Sequence, residues 1–199
     1  MTTQPTKTTY IEGQSFDPTG MVVTATYSDD TTAEVENYTY SPSGALTAED
    51  EEVVISFGGK TASVSITVNA INLQVRAATD DDGSLLGKDA SDLQENVEVG
   101  TDAITGTLNY VDDYTDFSSN EDEQKGNYLA LKCTAISGAT ITVEVVGGYS
   151  GAVTLDSDGL IVDKIASTSQ SIRVIATIDG MSETKTFALT DLVLSPAQL

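Results

Sequence analysis

The stretch Glu51-Glu-Val-Val-Ile-Ser-Phe-Gly-Gly-Lys-Thr-Ala-Ser-Val-Ser-Ile-Thr-Val68 carries the signature of two strands joined by a tight turn. In its second half Val64, Ile66 and Val68 fall on one side of an extended chain, while Ser63, Ser65 and Thr67 fall on the other. Gly58-Gly59 supplies the positive φ that a two-residue hairpin demands. One face is built for a core and one for water, which is the pattern of an antiparallel sandwich.

The same period of two extends outward in both directions. Met21-Val-Val-Thr-Ala-Thr-Tyr27, Ser28-Asp-Asp-Thr31 and Thr32-Ala-Glu-Val-Glu36 read as strand, turn, strand. Asn69-Ala-Ile-Asn-Leu73 joins this part to the rest without a Pro- or Ser-rich spacer. From 79 to 101 the alternation weakens: Asp80-Asp-Asp-Gly-Ser84 reads as a turn, and residues 88–98 read as room for a short helical turn. Strand patterns resume at 104–111 and, after a polar acidic loop at 112–126, at 127–135, 139–146, 151–155, 160–165, 171–178 and 182–189. Asp158-Gly159 and Asp179-Gly180 read as hairpin turns, and the last pair of strands repeats the closing hairpin of the first part. The expectation is an all-β chain of two antiparallel β-sandwich domains in tandem, residues 1–70 and 71–199.

Charge narrows the partners. The chain has 31 Asp and Glu against nine Lys and Arg, a net charge of -22, so a phosphate backbone or an anionic lipid surface would be repelled. No nucleic acid and no membrane are expected as partners. Residues 1–70 hold ten acids and two bases and residues 71–199 hold 21 and seven, so the acidity belongs to the whole chain rather than to a tail. The opening Met-Thr-Thr-Gln-Pro-Thr-Lys shows no apolar run of the secretory kind, and no stretch reaches the roughly 18 apolar residues of a membrane helix.

Chemistry is constrained by what is missing. With no histidine, triads that use an imidazole base and HExxH zinc sites are excluded, and one cysteine builds neither a disulfide nor a thiolate cluster. Cys133 sits in a strand-like run and is expected as a buried spectator. Carboxylate pairs can hydrolyse glycosides, but four Phe, eight Tyr and no Trp make a thin sugar-stacking surface, so a non-enzymatic chain without cofactors is expected, and no catalytic, cofactor-binding or metal residue is assigned. Placing Gly83 or Gly159 at the sixth position of an EF-hand loop puts Ala78 or Thr154 first, and Asp89 or Ile165 last, so both frames fail. An irregular calcium loop at Asp80, Asp81 and Asp82, or at Asp112, Asp113 and Asp116, stays open beside the reading of these acids as solvated turns. Tyr110, Tyr114 and Phe117, interleaved with acids, read either as a recognition edge or as packing at a sandwich rim.

Tyr10-Ile-Glu-Gly-Gln-Ser-Phe-Asp-Pro-Thr-Gly-Met-Val-Val-Thr-Ala-Thr-Tyr-Ser-Asp-Asp30, followed by the Gly-Gly-Lys-Thr hairpin, resembles the group 3 bacterial immunoglobulin-like domain, with Tyr10, Gly13, Phe16 and Gly20 in order. Asp30 departs from it, standing where such modules often carry Gly, which leaves the turn at 28–31 open. The stretches 106–118, 126–131, 143–148 and 153–160 resemble accessory virion proteins of tailed phages, and 153–189 resembles the end of another immunoglobulin-like module. These resemblances imply a virion surface protein assembled in the host cytoplasm. It would be a capsid decoration or head-fibre part that binds the major capsid protein, with host-surface or mucosal glycans as further ligands and a homo-oligomer on the capsid lattice. A fragment of a bacterial cell-surface adhesin or a carbohydrate-binding module, and a tail component, are the alternatives.

Overall fold

The structure, a computed structural model, describes residues 3–79, 95–98, 102–108, 110–111, 126–147, 153–154, 160–165 and 168–194. Every regular element among them is a strand. The chain divides into two compact units, Met1–Ile71 with Ile178–Met181, and Asn72–Thr177 with Ser182–Leu199.

The first unit holds β1 (Thr9–Ile11), β2 (Thr24–Thr26), β3 (Thr32–Glu34), β4 (Thr39–Ser41), β5 (Glu52–Phe57), β6 (Lys60–Ser65) and β7 (Thr67–Asn69). β2 pairs with β3, and β4, β5 and β6 form an antiparallel sheet with β5 in the middle. Phe57 faces Lys60 across Gly58-Gly59, whose φ values of 55° and 74° are those of the expected two-residue turn. Val64, Ile66 and Val68 are buried and Ser63, Ser65 and Thr67 are exposed, so the period-two reading of this strand holds. At Ile66 the strand changes partner. The Ile66 N–H still donates to Glu51, at 2.9 Å, whereas the Thr67 N–H donates to Thr8 on the opposite side, also at 2.9 Å. β7 then runs parallel to β1.

An aromatic frame organises this core. Tyr10 and Phe16 are buried, their ring centroids 6.3 Å apart, and Phe16 meets Tyr40 edge-on at 5.2 Å. Val23, Val35, Leu46, Val53, Ile55, Val64, Ile66 and Val68 complete the buried cluster. The Tyr10 hydroxyl donates to the Lys7 carbonyl at 2.9 Å and accepts from the Asp17 N–H at 3.2 Å, so the polar end of a buried ring is satisfied. Burial raises the pKa of this phenol, against the Asp17 N–H bond, which lowers it. Lys7 covers the ring face at 4.8 Å and donates to Gln14 Oε1, which also accepts the Ile11 N–H.

The second unit holds β8 (Gln74–Thr79), β9 (Glu95–Glu98), β10 (Gly106–Leu108), β11 (Tyr110–Val111), β12 (Gly126–Thr134), β13 (Thr140–Val146), β14 (Val153–Thr154), β15 (Leu160–Lys164), β16 (Ser171–Ile178), β17 (Met181–Ala188) and β18 (Leu192–Leu194). One sheet runs β11-β12-β8-β9 with β15 on the other side of β12; another runs β14-β13-β16-β17. β10 pairs with β18 in parallel. The core is aliphatic: Leu73, Val75, Leu129, Leu131, Val143, Val145, Ile172, Val174 and Leu189 are buried, with Phe187 its large ring. The buried Asn127 side chain donates to the Leu108 carbonyl at 2.8 Å, and Glu183 Oε2 accepts the Leu73 N–H at 2.9 Å. Arg173 pairs with Glu144 directly across the β13–β16 ladder.

Three features differ from the sequence reading. Residues 95–98, read as part of a helical turn, form a strand: β9 pairs with β8 from Arg76↔Glu98 to Thr79↔Glu95, and pairing to a neighbour overrides a weak local pattern. β8 and β18 lie where no strand was read. The sheets are antiparallel apart from the pairs β1·β7 and β10·β18, which are parallel.

Candidate recognition edge of the first unit

The β2–β3 hairpin is set by its turn. Asp29 Oδ1 accepts both the N–H and the hydroxyl of Thr31, at 3.1 and 2.6 Å, and these bonds hold the Asp29 carboxyl below its usual pKa. Asp30 takes φ 63°, so the conformation that Gly would adopt freely is carried here by Asp. The Tyr27 N–H donates to Thr31 at 2.9 Å and closes the turn. This geometry settles the question left by Asp30 and aims Tyr27 outward, 47% exposed.

Across from it stands β6. In the β5–β6 ladder Phe57↔Lys60, Ile55↔Ala62 and Val53↔Val64 exchange the backbone bonds, so the N–H and C=O groups of Thr61, Ser63 and Ser65 point away from β5. β1 covers this outer side only along β7. The outer groups of Thr61, Ser63 and Ser65 have no partner among the described residues. The edge reads Thr-Ala-Ser-Val-Ser, with no charge and no proline between Lys60 and Ile66.

β2 and the β5–β6 hairpin border an open cleft of about 420 Å³. Residues 23–28 and 60–62 line it consecutively, which is how strand edges rather than strand faces border a space. Val35, Ile55 and Phe57 give it an apolar side, and Thr24, Thr26, Ser28, Thr61 and Lys60 give it a polar rim. Lys60 is one of only two basic residues among residues 1–70.

The residues singled out from the sequence lie elsewhere. Tyr110 is in β11; Tyr114, Phe117, Asp80, Asp81, Asp82, Asp112, Asp113 and Asp116 lie outside the described residues. Among the described residues no three acids or thiols converge as a metal site. Cys133 is buried on β12 and desolvation pushes its pKa up to about 12. Sequence reasoning missed the cleft because a pocket between two strand edges depends on how far β1 extends. The uncharged run after Lys60 was its one visible sign.

No curated protein matches the chain. Residues 3–68 match the family model of the bacterial Ig-like domain (group 3), so the first unit carries that domain.

Proposed function

We propose that the chain is a non-enzymatic binding and display part of a particle or cell surface, and that the particle is a tailed-phage virion, with the protein decorating the head and bound to the major capsid protein. The observation that carries the binding role is the Ig-like first unit, a rigid aromatic-framed sandwich with an unpaired, uncharged strand edge beside an open cleft. Such a scaffold holds a recognition surface still without supplying reactive groups. The strong acidity of the whole chain suits a part exposed at high local copy number, where like charge keeps neighbours apart. The likeness of 106–118 and 126–131 to accessory virion proteins supports the phage setting.

Quantitative mass spectrometry of gradient-purified phage particles tests this reading, with copies of this protein counted against the major capsid protein. Tens to hundreds of copies per particle is the expected result. Absence from particles, with recovery in the cell envelope, overturns the phage setting and leaves a bacterial surface adhesin.

A further inference from the structure

We propose that the outer edge of β6 accepts an extended peptide of net positive charge, which adds as a further strand and places alternate apolar side chains in the cleft between β6 and β2. Three observations converge on this occupant. First, Thr61, Ser63 and Ser65 present backbone donors and acceptors at the strand spacing, without a partner among the described residues, and such a row templates another strand. Exposed edges are commonly blunted by inward charges, proline or a bulge, and residues 61–65 carry none of these.

Second, the adjoining space suits side chains that alternate in character. A strand laid on β6 would turn every second residue toward Val35, Ile55 and Phe57, and about 420 Å³ is pocket-sized for a few aliphatic groups. The residues between them would face solvent beside Thr61, Ser63 and Ser65, whose side chains are small and exposed.

Third, charge selects among strands. Residues 1–70 carry ten acids against two bases; one of those bases, Lys60, is on the cleft rim, but Asp29 and Asp30 stand in the turn next to the Tyr27–Ser28 lip and Glu52 lies opposite Ser65 in the ladder, so acids outnumber it around the edge. A second copy of the same unit brings a like charge to this edge, whereas a lysine-bearing peptide is drawn to it. A basic peptide is therefore the favoured occupant over self-pairing.

This inference rests on the reading of the chain as a binding part, but not on which particle carries it. Counting copies on particles tests the setting, and a titration with purified full-length chain tests the edge. The probe is the capped heptapeptide Lys-Val-Thr-Val-Lys-Val-Lys, compared with its counterpart in which each Lys is Glu. Residue-resolved amide exchange by NMR is the readout.

With the lysine peptide at about 1 mM, where weak specific binding saturates, exchange at Thr61, Ser63 and Ser65 is expected to slow about tenfold or more. The glutamate peptide should leave it unchanged. Ser63→Pro removes the central edge N–H at a position where a strand tolerates proline, and should abolish the effect. Ala62→Phe fills the cleft mouth without touching the outer backbone groups, and should weaken binding on its own. No slowing at these three amides, or equal slowing by both peptides, overturns the proposal. Slowing that grows with protein concentration and needs no peptide overturns it in favour of a second copy.

Discussion

The two units end alike and are filled differently. Each closes on a parallel pair, β1 with β7 and β10 with β18. The first unit is built around Tyr10, Phe16 and Tyr40, while the second is built from Leu, Val and Ile with a buried thiol among them. An aromatic frame fixes orientation with few residues, because rings are large and the hydroxyl of Tyr10 must find its partners. An aliphatic core spreads the same task over many interchangeable side chains. The contrast teaches that parallel closure does not require a particular core chemistry.

The largest effect that sharpens this contrast comes from the core itself. Ile55→Ala should cost about 2–5 kcal/mol, with Leu131→Ala in the second unit in the same range, because both delete buried aliphatic atoms and leave a cavity. Denaturant unfolding followed by residue-resolved exchange would show whether each loss appears in the unit that carries the substitution. Tyr10→Phe comes next, at about 1 kcal/mol, since it removes the hydroxyl that bridges the Lys7 carbonyl and the Asp17 N–H. A loss near zero would mean that the aromatic frame is packing alone.

The turns give a smaller and signed test. Asp30 sits at φ 63°, so Asp30→Gly should be neutral or stabilising by less than about 1 kcal/mol, whereas Asp30→Val should cost about 1–2 kcal/mol in thermal unfolding. Smallest is the acid limb. Asp17 and Asp29 each accept the N–H and hydroxyl of a threonine two residues on, and both carboxyls are held below their usual pKa. A folded-state pKa below the unfolded one means stability present above the unfolded value and lost as pH falls through the folded one. Asp29→Asn should therefore make the midpoint less dependent on pH in the acid range, and an unchanged slope would remove Asp29 from the account.

How much of this was legible in the sequence follows from the range of each determinant. The strand 60–69 could be read because its pattern and its Gly-Gly turn are local, as could the burial of Cys133 within an apolar run. β9 could not, because Glu95-Asn-Val-Glu98 is a strand only through its neighbour β8, and β18 could not, because its three residues gain their state from β10. The turn at Asp30 was open in sequence because Asp resists positive φ; the two Asp29 bonds to Thr31 fix the turn around it. The candidate edge was hidden for a related reason. No local pattern tells where β1 stops covering a strand whose partner changes at Ile66.

That change of partner is the claim on which the rest depends, and amide exchange of the free full-length chain tests it directly. The account predicts slow exchange at Ala62, Val64, Ile66 and Thr67 and fast exchange at Thr61, Ser63 and Ser65, an alternation that ends at Ile66. Uniform protection from 61 to 67 would contradict it, because the outer edge of β6 would then already be paired.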